Sequence, residues 1–190
     1  MTNETRQQPV NKRSIMNVFA EEDLCPLLTE CYRGNRGAQR EIYQRYYSFA
    51  IGICIRYASN RDECVKIMNE GFLKLFQKPD WCANNKTFHV KLQEIMIDSI
   101  LKHYQQDIDI HFTLPVNKEI DVHLTADKKI AGHQLLHLLH QLPAVQRIIF
   151  NLYAIDGYTH IEIETMIRKA RGFSEKWLFI ARNTLSRISG

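Results

Sequence analysis

Apolar residues recur at three- and four-residue steps through most of this 190-residue chain, and turn signals cut the runs. That period places side chains on one face of an α-helix, whereas a half-buried strand needs a period of two. The pattern constrains the chain to an all-α fold built of short amphipathic helices. After a polar tail at 1–20, Leu24, Leu27, Leu28 and Cys31 form the first apolar face. Gly34-Asn35-Arg36-Gly37 reads as a turn. Ile42, Tyr46, Phe49, Ile53 and Tyr57 then predict a helix over 38–58. Ser59-Asn60-Arg61-Asp62 breaks it, with Asp62 placed to cap the next helix, over 62–77. That helix buries Cys64, Ile67, Met68, Phe72 and Leu75 and turns Lys66, Asn69, Glu70, Leu73 and Lys74 outward. Lys78-Pro79-Asp80 ends it, because proline has no N–H to continue the ladder. A polar loop from Trp81 to Lys86 leads into a helix over 87–105 with Leu92, Ile95, Met96, Ile100 and Tyr104 inward.

Residues 107–129 lose the period and scatter acids and a proline: Asp107, Asp109, Pro115, Glu119, Asp121 and Asp127. A connection this long is unusual inside one compact domain, so it predicts an extended linker between two small helical domains, 21–106 and 130–190. In the second, Leu135, Leu138, Leu139 and Leu142 open a helix that stops before Pro143. Ile148, Ile149 and Leu152 mark another over 144–155, ended by Asp156-Gly157 with Gly157 as a left-handed cap. Thr159 and Glu162 form a capping box for a third. Arg168 to Gly172 turns the chain, and Ser174 is read as the cap of a last helix with Leu178, Ala181 and Leu185 inward. Helix, short turn, helix at the chain end is a helix-turn-helix arrangement.

Composition narrows the function classes. Hydrophobic residues make up 45% of the chain, yet no apolar run reaches the length of a membrane span. Residues 1–14 carry no apolar signal core, so the expectation is a cytoplasmic protein without membrane contact. Cys25, Cys31, Cys54, Cys64 and Cys82 form no C-x-x-C pair, and an odd, irregular set points to reduced thiols. His133, His137 and His140 lie near one helix face, but no acid or cysteine completes a metal site, so they read as a polar face. No phosphate loop, nucleophile elbow or paired catalytic carboxylate is present, and neither an enzyme nor a cofactor is expected. The net charge is only +4, but Arg168, Lys169, Arg171, Lys176, Arg182 and Arg187 cluster against the single acid Glu175. Such a stripe suits a polyanion such as DNA, and a solvated helix face is the alternative.

The order of motifs resembles that of RNA polymerase sigma factors of the extracytoplasmic-function group, in wording like that of the Bacteroidota branch. The N-terminal block is similar to sigma region two through Gly34-Asn35-Arg36-Gly37-Ala38, Ile42-Tyr43-Gln44-Arg45-Tyr46-Tyr47, the run Cys54 to Glu63, and Asn69-Glu70-Gly71-Phe72-Leu73-Lys74-Leu75-Phe76. The C-terminal block is similar to region four through Gln141-Leu142-Pro143, Arg147, Phe150-Asn151-Leu152-Tyr153, Asp156-Gly157-Tyr158-Thr159-His160 and Ala181-Arg182-x-x-Leu185. Together the matches span most of residues 24–186. The resemblance implies a factor that binds core RNA polymerase and promoter DNA to start transcription. Asn69, Glu70, Leu73 and Lys74 would meet the beta-prime clamp helices. The linker would thread the active-site cleft, and region four would meet the beta flap. An anti-sigma factor is a further expected partner.

The segments that would touch DNA depart from the family's pattern. The loop expected to hold a flipped base offers Trp81, Asn84, Asn85 and Lys86, and Trp81 serves equally well as a lid on the core. The following helix has Lys91 where the family has tryptophan, and Gln93, Glu94 and Gln105 at usual basic positions, leaving Lys91 and Lys102 as its cations. Acids and amides cannot neutralise phosphates. In the last helix Arg171, Lys176 and Arg182 could meet DNA, while Trp177, Phe179 and Ile180 read as a protein-docking patch. Two alternatives follow. One is a sigma factor addressed to DNA by a partner, such as a nuclease-dead RNA-guided CRISPR effector. The other is a degenerate sigma that acts only as an interaction or sequestering module.

Overall fold

The computed structural model describes residues 24–77, 87–110 and 132–189, and among these every regular element is helical. Gly34, at φ 84°, ends α1 (Leu24–Tyr32) in a conformation that glycine adopts without penalty. Asn35 then caps α2 (Arg36–Cys54), its side chain accepting from the Gly37 and Ala38 amides at 3.0 and 3.2 Å. The helix stops at Cys54, earlier than expected, and Tyr57 lies beyond it, fully buried. The cap of α3 (Arg61–Phe76) is Asn60, not Asp62: Asn60 is extended and accepts from the Glu63 amide at 2.9 Å. Asp62 sits one residue inside the helix, where its charge faces the positive end of the dipole.

α4 (Phe88–His103) crosses α3 at close range. Gly71 makes this possible, since a Cβ there would lie 2.5 Å from the Met96 sulfur. Ile42, Ile67, Met68, Leu92, Met96 and Ile100 are fully buried between α2, α3 and α4. Each such side chain contributes about 1.5–3 kcal/mol by leaving water. The helical group does not end at 106. Residues 105–110 form a short α5 (Gln105–Ile110), held by Ile108, which is 1% exposed. The first four linker residues are therefore helical, because one apolar side chain among the acids finds the core.

α6 (Gly132–His140), α7 (Ala144–Phe150), α8 (His160–Ile167) and α9 (Phe173–Ser189) make the second group. α7 widens into a π-helical turn at Asn151–Ile155, closed by the Asp156 amide on the Asn151 carbonyl at 2.9 Å. Gly157 follows at φ 78°, as its place after Asp156 predicted. α9 packs against α6, α7 and α8, which explains the breadth of its apolar face. Ser174 lies inside α9 instead of capping it. Its amide is held by the Glu164 carboxylate at 3.2 Å and its hydroxyl meets His160 Nδ1 at 3.0 Å. Val145, Ile148, Ile149 and Leu152 belong to the same hydrophobic cluster as the first group, so the two groups meet directly.

The cysteines divide by position. Cys31, Cys54 and Cys64 are free and buried, and burial pushes the Cys54 thiol up to about 12 and the other two to about 11. Thiols held protonated in this way are poor nucleophiles. Cys25, on the exposed side of α1, is disulfide-bonded, which corrects the expectation that all five remain reduced. Among the described residues no helix is long and apolar enough to cross a membrane.

Candidate nucleic-acid and protein interfaces

The outward face of α3 is set by what lies beneath it. Phe72 packs on Tyr43 with ring centroids 4.7 Å apart, and the Tyr43 hydroxyl reaches over to donate to Asn69 Oδ1 at 3.1 Å. This fixes Asn69 at the surface. Leu73 is 60% exposed on the same face. It borders an open groove of about 360 Å³ lined by Cys31, Tyr32, Gln39, Leu73, Phe76 and Gln77. Tyr32 is also largely exposed, so the α1–α3 side carries two large apolar side chains with water on them. Glu70 is half-buried, and Lys74 donates to Asp98 of α4 at 2.8 Å. Of the four residues expected to bind protein, Asn69 and Leu73 face outward without reserve, while Lys74 is drawn toward α4.

The loop residues Trp81, Asn84, Asn85 and Lys86 lie outside the described residues. On α4, Lys91 is only 8% exposed. It is not on the surface where a phosphate contact was expected, because α4 is buried around most of its circumference. Its exposed stripe is Val90, Glu94, Asp98 and Lys102, one residue per turn. Two acids and one lysine give that stripe a net negative charge, and Lys102 remains its lone exposed cation.

At the C-terminal end the capping box is complete. Thr159 Oγ1 receives the Glu162 amide at 3.3 Å, and Glu162 Oε2 receives the Thr159 amide at 2.8 Å. Arg168 ends α8 in the left-handed region at φ 55°, and Gly172 completes the turn into α9 at φ 86°. Arg168, Arg171, Lys176, Arg182 and Arg187 are exposed. Arg182 also lies over the Tyr153 ring at 5.9 Å, and that ring stacks on His160 at 4.4 Å. Lys169 is different: it pairs with Asp109 of α5 at 2.6 Å. The Lys169 hydrogen bond also draws the Asp109 carboxyl below its ordinary range.

The docking patch expected on α9 does not form as a unit. Trp177 is 7% exposed and packs beside Phe173, Ile180 packs partly against the core, and only Phe179 stands out, at 49%. The helix is covered on more than one side, so positions read as outward turn toward a neighbour. The histidines are also accounted for in part. His140 Nε2 sits 2.8 Å from the Ile55 carbonyl, and His137 is exposed. His133 lies outside the residues whose side chains are described. Among the described residues no cluster could hold a metal ion.

Two polar networks join residues far apart in the sequence. Asp156, with a side chain 4% exposed, accepts from Arg56 at 2.8 Å, from Gln93 at 3.2 Å and from the Tyr57 hydroxyl. Burial and the Asp156 charge hold the Tyr57 phenol well above its usual value. The second network centres on Glu63, which accepts from the Ser59 amide, from Tyr104 at 2.7 Å and from His103 at 2.9 Å. Burial alone would raise the Glu63 carboxyl. The bonds from Ser59, Tyr104 and His103 outweigh it and bring the value down to about 2.

No protein-family model matches the chain, and no curated protein matches it. Among solved structures, CnrH in complex with the cytosolic domain of CnrY is similar at 14% sequence identity, over 87% of this chain and 96% of that one, with a TM-score of 0.43.

Proposed function

We propose that the chain is a transcription initiation factor of the sigma type, a cytoplasmic non-enzyme that binds core RNA polymerase through the outward face of α3. The observation that carries this reading is Leu73, a large apolar side chain held 60% exposed beside Asn69 on the helix the motif order assigns to polymerase. One exposed leucine is ordinary, but Leu73 shares a groove with the exposed Tyr32 and with Phe76, and a contiguous apolar patch of this kind marks a partner site. The exposed basic residues around α9 support a role for the C-terminal group near DNA, and the beta flap is its expected protein contact. The groups 24–110 and 132–189 then act as the two domains of the factor.

A second reading has its own support. The exposed stripe of α4 carries Glu94 and Asp98 against Lys102, with Lys74 of α3 spent on Asp98, so it offers no net positive charge to a DNA strand. Promoter choice is then delegated to a DNA-targeting partner, with an RNA-guided effector as one form of it. Burial of Trp177 narrows the surface on α9 that such a partner could use. Reconstituted transcription with core polymerase separates the readings. Specific starts from the chain and polymerase alone support an autonomous factor. Starts that appear only with an added targeting protein support the second. Polymerase binding with no starts under either condition leaves a sequestering module, and an absence of both binding and starts sinks the proposal.

A further inference from the structure

One side of α9 stays open to water. Glu175, Phe179 and Arg182 stand there at i, i+4 and i+7, so they line one stripe of the helix, and all three are exposed. Lys176 and Arg187 flank the stripe, and Arg168 and Arg171 are exposed in the turn before α9. The Tyr153 ring, 5.9 Å from the Arg182 guanidinium, steadies that side chain. Two members of the stripe do not belong on a plain solvated basic face. Phe179 is 49% exposed, and its neighbours one turn away are Glu175, Lys176, Arg182 and Asn183. With Trp177 buried, it lacks the apolar company that makes a protein hot spot. Glu175 is an acid among cations, yet it pairs with none of them among the described residues.

We infer that Glu175 and Phe179 choose the bases that α9 reads in the major groove of duplex DNA, Glu175 a cytosine and Phe179 a thymine. The inference rests on the proposed role of the C-terminal group near DNA. In a helix-turn-helix pair the second helix lies in the major groove with its N-terminal residues at the base edges. Glu175 is in the first turn of α9, and Phe179 is one turn further on. Phosphates repel a carboxylate, but the cytosine N4 amino group donates to one. A phenyl ring takes no hydrogen bond from a base edge, and the apolar group the major groove offers it is the thymine methyl. The flanking cations hold the backbone, which positions the helix without selecting a sequence. Four residues advance about 6 Å along a helix and base pairs stack about 3.4 Å apart, so the two bases lie about two steps from each other.

The test offers a library of randomised DNA duplexes to the full chain, alone and bound to core RNA polymerase, and sequences what is retained. The expected site has cytosine enriched about tenfold and a thymine about two steps away. Glu175→Gln should move the first preference from cytosine to adenine, whose N6 and N7 suit an amide. Replacement of that thymine by deoxyuridine removes one methyl group and should weaken binding by wild type about fourfold. Phe179→Ala should bind the two versions equally, a ratio taken within one protein and so independent of its overall affinity. No enriched sequence in either arm overturns the inference and gives the stripe to a protein partner. Cytosine preference that survives Glu175→Gln, or methyl discrimination that survives Phe179→Ala, overturns it as well. The expected site and both shifts, found with the chain alone while polymerase is not bound, uphold the base reading and overturn the polymerase half of the proposed function.

Discussion

Replacement of Glu63 by glutamine removes the charge at the centre of the Ser59, His103 and Tyr104 network and leaves the shape nearly unchanged. A carboxyl drawn from an ordinary 4.5 to about 2 is linked to roughly 3 kcal/mol of stability at neutral pH, at about 1.4 kcal/mol per pH unit. The side chain is 20% exposed, so water screens part of this, and the expected loss is about 2 kcal/mol at pH 7. The sign follows from the direction of the change. The folded value lies below the unfolded one, so the contribution is complete above about pH 4.5 and vanishes as pH falls through about 2. More than half of the gap between wild type and Glu63→Gln should close by about pH 3. Urea unfolding of both proteins at pH 7, 5, 4 and 3 measures it. A gap that stays constant with pH, or none at pH 7, refutes the reasoning: the network would then act through packing alone.

Trp177→Ala should cost about 3–5 kcal/mol by emptying a buried site, whereas Phe179→Ala, two residues away on the open side, should stay within about 0.5 kcal/mol. Denaturant midpoints of the two variants report this, and equal effects would return Trp177 to the surface. Asn60→Ala should destabilise by about 1 kcal/mol through loss of the α3 cap, and Asp62→Ala by less, about 0.5 kcal/mol through the helix dipole. The reverse order in thermal unfolding would restore Asp62 as the cap.

Periodicity was sufficient for α3, where Cys64, Ile67, Met68, Phe72 and Leu75 are all buried as their spacing predicts. Its neighbours α1, α2 and α4 leave one face of the helix open, and the residues there meet water. It was insufficient for α4 and α9. α4 buries even Lys91 and Ser99, and α9 buries Trp177 and Asn183, so residues outside the main stripe still find a covered surface. The junction between the two helical groups was illegible for another reason. Asp156 before Gly157 has the look of turn punctuation, yet it serves a side chain 100 residues away. Arg147 donates to a carbonyl 90 residues away. Neither pairing leaves a local pattern: the Arg56–Asp156 partners are 100 residues apart, and the carbonyl that accepts from Arg147 demands no residue type at its position. The short α5 is hidden for a simpler reason: Ile108 and Ile110 alternate with acids, and that spacing does not announce a helix.

The central claim is that the face of α3 binds polymerase, and a single comparison tests it most directly. Equilibrium binding of core RNA polymerase to the wild-type chain and to Leu73→Lys should differ by at least about tenfold in favour of wild type, with nearly equal unfolding midpoints because Leu73 is already exposed and a cation suits the last turn of α3. Equal affinities of two equally stable proteins, or no binding by the wild type, would contradict it.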